Sequence, residues 1–420
     1  MEKTKAIRAH LPKRLTISFA LWMLMDVNED GAYHDLDKVV REHVERGFNC
    51  IRIESGAGIT HDADGNRLPP FRIHAPFAEY STARQIFCFG GEGECDLLQR
   101  LIELCRVCQK YGVYLILSSW YFLHTYWYCS NEQNDRIFSI PAKDMFMAFA
   151  RFLHYILKEL EERGLADRIA FAEIFNEVPA VPTLIGELTG EDISGIDFDK
   201  KHKEALAWLQ REHPGILFAV DSDDPSAAGI DRLPSNMQVF NGHNYFLWGV
   251  YGDTLESGEP KKSEFFKGEI TGEDVARSRA GRCSLSETCS PWYTRVAVCN
   301  DFDTGTAAAL EEHLEKRLGT KRNEFLERLE FFCKGYERVL ENHPGLPLIC
   351  GEGVTYCSSQ KVLWEEHSDA YWDMIRCAMN RYKEIGLWGT VIKTCCGPED
   401  PCWYLCREKL RELNEAFLCD

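Results

Sequence analysis

Short apolar runs alternate along the chain with longer stretches in which apolar residues recur every three or four positions. The runs are LTISFALW (15–22), NCIRI (49–53), VYLILS (113–118), IAFAEIF (169–175), ILFAV (216–220), MQVFNGH (237–243), LPLIC (346–350) and LWGTVIK (387–393). Runs this short and this continuously apolar read as strands buried on both faces. Helical periodicity fills most of the intervals, over 36–46, 94–111, 143–163, 201–212, 307–341, 361–384 and 404–417. The interval 221–235 holds at most a short helical turn. Strand–helix alternation predicts a parallel sheet, and eight units predict closure into an α/β (β/α)8 TIM barrel. A doubly wound open sheet is the structural alternative. The absence of a GxGxxG after the first run weighs against it.

Two intervals exceed ordinary loop length. Residues 54–92 follow the second strand. Residues 246–305 follow the sixth and carry Trp248, Tyr251, Phe265, Phe266, Trp292 and Tyr293. Both lie after the carboxyl end of a strand, where barrels build their sites, so they predict lids or substrate walls. With no internal repeat and no sharp linker, one domain over 1–420 carrying these two insertions is expected.

Composition changes this picture in three respects. The chain of 420 residues is 45% hydrophobic, enough for a large core, and carries a net charge of −18. That charge disfavours nucleic acid and anionic membrane surfaces as partners. The 18 cysteines would suggest disulfides in an exported protein. The N-terminus has a basic start and an apolar stretch from Leu15 to Met25, but no small-x-small cleavage site follows. The stretch therefore reads as the first strand, the thiols as reduced and the protein as cytoplasmic. Cys105 and Cys108 have helical packing spacing. Cys395, Cys396, Cys402 and Cys406 are the densest cluster, but no second CxxC or His pair completes a zinc set.

Chemistry concentrates at strand ends. FAEIFNEVP puts Asn176 and Glu177 at the end of the fourth strand, and LPLICGEGV puts Glu352 just past the seventh. A barrel brings these two ends to one mouth. Two facing carboxyl groups, one protonated and one ionised, are the minimum equipment for cleaving a glycosidic bond. Burial and mutual repulsion would split their pKa values. GHNYF adds His243 and Tyr245 on one face. Arg52 lies inside an apolar strand, where a guanidinium requires a partner. Glu352 and Glu173 are both open as that partner.

These residues together resemble clan A glycoside hydrolases, most closely family 5, the cellulase and mannanase family. The resemblance rests on Arg52 in FNCIRI, on IFNEV at 174–178, on HNY at 243–245 and on CGEGV at 350–354. It implies a retaining hydrolase built on a (β/α)8 barrel, with no metal and no organic cofactor. By position it implies Glu177 as acid/base, Glu352 as nucleophile and Asn176 as donor to a sugar hydroxyl. It further implies His243 beside Glu177, Tyr245 donating to Glu352, and Arg52 beneath Glu352.

The chain also departs from that pattern. Family 5 has Asn-Glu-Pro where this chain has Asn176-Glu177-Val178, with Pro179 one place later. Ser119 or Trp120 stands where a strand-three His is usual, with His124 further along. Lys393 or Thr394 stands where a strand-eight Trp is usual. A Lys393 at the mouth would recognise an anionic sugar substituent or pair with Glu399 or Asp400. Trp22, Trp120, Tyr121, Tyr126, Trp127 and Tyr128 are candidate sugar platforms, Trp120 and Trp22 among the binding residues. The expected function is a retaining β-glycosidase acting on β-glucosidic or β-mannosidic oligosaccharides. A catalytically impaired carbohydrate-binding protein and a transglycosidase are the alternatives.

Overall fold

The computed structural model describes residues 7–73, 93–120, 136–250, 303–355, 361–394 and 396–419. Ten strands are described: β1 (Leu15–Phe19), β2 (Cys50–Glu54), β3 (Phe71–Ile73), β4 (Gly93–Cys95), β5 (Tyr114–Ser118), β6 (Ile169–Glu173), β7 (Phe218–Ser222), β8 (Val239–Asn244), β9 (Leu348–Gly353) and β10 (Gly389–Val391). Eight of them close into a barrel in the order β1-β10-β9-β8-β7-β6-β5-β2. Every neighbouring pair in it is parallel. Closure is made by β1 against β10, with Leu15 opposite Gly389. The architecture is the (β/α)8 barrel that the apolar pattern predicts.

The strands form because Val, Ile, Leu and Phe fill them and water reaches neither face. All residues of β1, β2, β6, β7, β8 and β9 are buried. The helices that follow wrap the barrel and are capped by short acceptor side chains. Asp35, Asp96, Asp197, Asp303 and Ser368 each accept the backbone N–H three residues on, which satisfies donors that the first helical turn leaves unpaired. The longest helix, Thr304–Asn342, buries Leu310, Leu314, Leu318, Phe325 and Leu329 along one stripe.

Some boundaries differ from the expectation. The fifth barrel strand runs two residues later than ILFAV, ending at Ser222. Trp22 lies beyond β1, before a short 3-10 turn at Met23–Met25. A helix at Val181–Thr189 and the antiparallel hairpin β3–β4 were not foreseen. Pro182 and Gly186 obscure the helix, and three-residue strands give no period to read. β3 lies in the first insertion and β4 directly after it; residues 74–92 of that insertion lie outside the described residues, as do residues 251–302 of the second. No described helix is long and apolar enough to cross a membrane.

The described cysteines are free thiols, and most are buried. Cys105 and Cys108 face the core within one helix. Cys396 and Cys402 lie 3.7 Å apart, while Cys406 donates to the Glu366 carbonyl. Cys395 is outside the described residues.

Candidate active site

Asn176 and Glu177 follow β6 at the carboxyl end of the barrel, and the chain there is tightly tethered. The Asn176 N–H donates to the Ser119 carbonyl at 2.9 Å, and the Val178 N–H to the Asp221 carbonyl at 3.1 Å. Between them Glu177 has φ +49°, a left-handed conformation that non-glycine residues avoid, at a cost of about 1–3 kcal/mol. Its N–H donates to Asp221 Oδ1 at 2.6 Å. The backbone is thus bent out of strand geometry, and the carboxylate is carried into the mouth. The side chain keeps 28% exposure, so a ligand in the mouth can reach it.

Glu352 is set by a second irregularity. Gly242 pairs with Cys350 but His243 pairs with Glu352, so β9 carries an extra residue, Gly351. A bulge of this kind re-aims the next side chain. Glycine is required there: a Cβ on residue 351 would lie 2.2 Å from Asn241 Oδ1. Two residues past Glu352, Val354 has φ +66°, an outlier for a β-branched residue. Glu352 accepts from Arg52 Nη1 at 2.6 Å and from the Tyr245 hydroxyl at 2.7 Å. It is 6% exposed, deeper than Glu177. The Thr394 hydroxyl accepts from the Gly353 N–H at 2.9 Å and lies 3.3 Å from the Tyr245 oxygen.

Oxygens of Glu177 and Glu352 lie within 4.8 Å of one another, with His243 at the same point. His243 Nδ1 is 3.2 Å from Glu177 Oε1, and Nε2 is 3.0 Å from Asp221 Oδ2 and 3.5 Å from Glu352 Oε1. Glu177, His243 and Glu352 are the one set of three potential metal-ligating side chains among the described residues. Both ring nitrogens already face carboxylate oxygens, so the donor set suits proton handling better than metal ligation.

Beneath them lies Arg52, fully buried in β2. Its Nε donates to Glu173 at 2.9 Å, and its Nη2 to Asp221 at 2.9 Å and to Asn176 Oδ1 at 2.7 Å. Both acceptors left open by the sequence are therefore taken. Asp221, at the end of β7, also accepts from Asn241 Nδ2 at 2.8 Å. Asp221 was not among the sequence-derived candidates. The signal was present, since a carboxylate follows an apolar run there as at Glu177 and Glu352.

The cluster holds four carboxyl groups, Glu173, Glu177, Asp221 and Glu352, against two cations, Arg52 and His243. Burial raises Glu177 to about 7; the Glu352 charge adds to this and His243 opposes it. Burial likewise raises Glu173 to about 7 against the pull of Arg52. Burial alone would raise Asp221, but His243 and Arg52 hold it below the ordinary carboxylate range. Burial would neutralise His243, yet Asp221 and Glu352 outweigh it and hold the ring protonated.

Other expectations are corrected. Lys393 follows β10 (Gly389–Val391). It is buried, and its ammonium pairs with Glu365 in the short helix Trp364–His367 rather than with Glu399 or Asp400. A buried ammonium requires a carboxylate partner, and Glu365 provides it. Trp22 and Trp120 are buried and pack edge to face at 5.9 Å. The Trp120 ring covers the Arg52 guanidinium, 4.7 Å from the ring centroid, so that face is unavailable to a sugar. Ser119, at the end of β5, faces Ser55 at 2.8 Å. Tyr121, His124, Tyr126, Trp127 and Tyr128 lie outside the described residues. Half-exposed aromatic surface next to Glu352 comes instead from Tyr245 and Trp248, whose rings meet at 5.6 Å.

Residues 17–220 match a cellulase-like family described as sugar-binding cellulase-like. No curated protein matches the chain in sequence. Among solved structures, a candidate glycoside hydrolase from Parabacteroides distasonis ATCC 8503 is similar at 17% identity and TM-score 0.65, over 97% of this chain and 94% of that one. An exo-β-1,4-mannosidase from Opitutaceae bacterium strain TAV5 aligns at 16% identity and TM-score 0.42, over 99% of this chain and 60% of that one. A broad-specificity family 5 endoglucanase from Clostridium acetobutylicum aligns at 12% identity and TM-score 0.43, over 90% and 86%. The chain is thus cellulase-like in sequence over 17–220 and shares its barrel fold with the P. distasonis protein.

Proposed function

We propose that this protein is a retaining β-glycosidase, with Glu352 as nucleophile and Glu177 as acid/base, acting on β-glucosidic or β-mannosidic oligosaccharides. The observation that carries this reading is the approach of the two carboxylates within 4.8 Å across one mouth. Retaining enzymes hold them ~5–5.5 Å apart, whereas inverting enzymes leave ~6.5–9.5 Å for a water. The match to a sugar-binding cellulase-like family supports the substrate class.

The chemistry follows from the asymmetry of the two sites. Glu352, held between two donors, Arg52 and Tyr245, attacks the anomeric carbon. Glu177, protonated, gives its proton to the departing oxygen. Water then enters, Glu177 takes a proton from it, and the glycosyl–Glu352 ester is hydrolysed. Asn176 Oδ1 accepts from Arg52 Nη2, leaving Nδ2 to donate to a sugar hydroxyl, where such bonds strengthen in the transition state. Incubation with a panel of activated 2-fluoro glycosides, followed by peptide mass spectrometry, tests the assignment. An adduct on Glu352 supports it; turnover of glycosides with inversion of configuration would overturn it. Ser119 and Thr394 stand where the resemblance expects a His and a Trp, which favours a carbohydrate-binding protein as the second reading. Complete lack of adduct across the panel would favour that reading.

Three further results are expected. Glu177→Ala should lower kcat/KM by about 10²–10⁴-fold on phenyl glycosides, with little loss on dinitrophenyl glycosides, whose leaving groups need no proton. In the wild type Glu177 must carry its proton in the first step, and the proton is lost as pH rises through about 7. The kcat/KM profile should therefore fall on the alkaline side near pH 7 for phenyl glycosides and flatten for dinitrophenyl ones. Equal losses on both substrates would contradict the acid role. Trp248→Ala should raise KM about 2- to 10-fold with kcat little changed, the loss expected of one aromatic contact. An unaltered KM would remove Trp248 from the cleft.

A further inference from the structure

We infer that Asp221 is the positioning residue for the acid–base step, because one carboxylate fixes both the backbone and the imidazole partner of Glu177. The inference rests on the assignment of Glu177 as acid/base. Oδ1 receives the N–H of Glu177 itself at 2.6 Å. That bond closes on a residue at φ +49°, so it helps hold a conformation that the chain would otherwise leave. Oδ2 lies 3.0 Å from His243 Nε2. The ring is thereby turned so that Nδ1 faces Glu177 Oε1 at 3.2 Å. Asp221, His243 and Glu177 thus follow one another as a line of contacts, the first a hydrogen bond and the second an approach at ion-pair distance.

The remaining bonds of Asp221 keep it from rotating. Arg52 Nη2 and Asn241 Nδ2 both donate to Oδ2, and its backbone carbonyl receives the Val178 N–H. Asp221 is fully buried and is walled from the mouth by the groups it orients. It therefore acts through Glu177 and His243 rather than by contact with a sugar.

The charged groups facing this line are Arg52 from β2, Glu173 from β6 and Glu352 from β9. Asp223, two residues beyond Asp221, also acts on Glu177 and His243 through space. Removing the Asp221 charge frees His243 to lose its proton, and an imidazolium no longer opposes protonation of Glu177.

The test compares wild type, Asp221→Asn and His243→Gln on phenyl and dinitrophenyl glycosides across pH. For Asp221→Asn the expected result is a loss of about 10²-fold on phenyl glycosides, of the size of a general acid contribution. The loss on dinitrophenyl glycosides should be under about 10-fold, and the alkaline limb of kcat/KM should move to higher pH. His243→Gln breaks the same line from its middle without depriving Arg52 of a partner, and should show the same leaving-group dependence. If Asp221→Asn fails to fold, His243→Gln decides alone. Equal losses on both substrates with an unmoved limb would overturn the inference while leaving Glu177 as acid/base. A wild type with no glycoside turnover would instead overturn the assignment on which it rests.

Discussion

Glu352→Gln should abolish turnover, with kcat/KM on dinitrophenyl glycosides falling by at least ~10⁴-fold, the scale seen when a nucleophile acting in a unit is removed. Good leaving groups should give no rescue, because the lost step is attack on carbon and not protonation of oxygen. This separates Glu352 from Glu177, whose truncation spares such substrates. The amide matches the carboxylate in shape, and Arg52 keeps Glu173 and Asp221 as partners. The variant should therefore fold with a melting temperature near that of the wild type, while 2-fluoro glycosides should leave no adduct. Turnover within ten-fold of wild type would remove Glu352 from the covalent role.

Arg52→Met should have the largest effect on stability, about 3–5 kcal/mol, the loss expected when one side of a buried ion cluster is deleted. Arg52 is fully buried and is ion-paired with Glu173, Asp221 and Glu352. Without it three carboxyl groups remain away from water, opposed only by His243. They would take up protons in the folded state, so the variant binds more protons when folded than the wild type does. Its stability therefore falls relative to wild type as pH rises. Urea titrations at pH 5 and pH 8 should show a larger deficit at pH 8. A deficit under about 1 kcal/mol, typical of an ordinary substitution, would mean the cluster is not held together by its cation.

The barrel was legible because each strand is a continuous apolar run, and burial on both faces leaves no other pattern. The residues that meet at the mouth were legible for a related reason. Carboxylates and amides directly after such runs can only crowd the end of the barrel, and Glu177, Glu352, Asn176, His243 and Tyr245 do so. Asp221 escaped because its run was closed at Val220, two residues before β7 ends. Side-chain direction was harder to read. Period-two counting gives the inward face only while register holds, and register shifts at Leu115/Ile116 and at Gly242/His243. Lys393, which follows β10, looked like a residue free to meet a ligand, but its ammonium is paired with Glu365. Trp120 looked like a platform, and one face of its ring lies over Arg52 in a cation–π contact. Such pairings join residues far apart in the chain, and local pattern carries no trace of them.

The closing pair of the barrel has a consequence for biogenesis. Leu15 meets Gly389, so on the ribosome the first strand waits until β10 has been translated. Until then β1 and the latest strand to emerge are unpaired edges, the kind of surface on which nascent sheets self-associate. The Arg52–Glu352 contact spans 300 residues, so the cation, too, spends synthesis without one of its three anions. A ribosome that stalls before β10 would release a chain with its buried charges in place and its seam open, a natural substrate for chaperones and proteases.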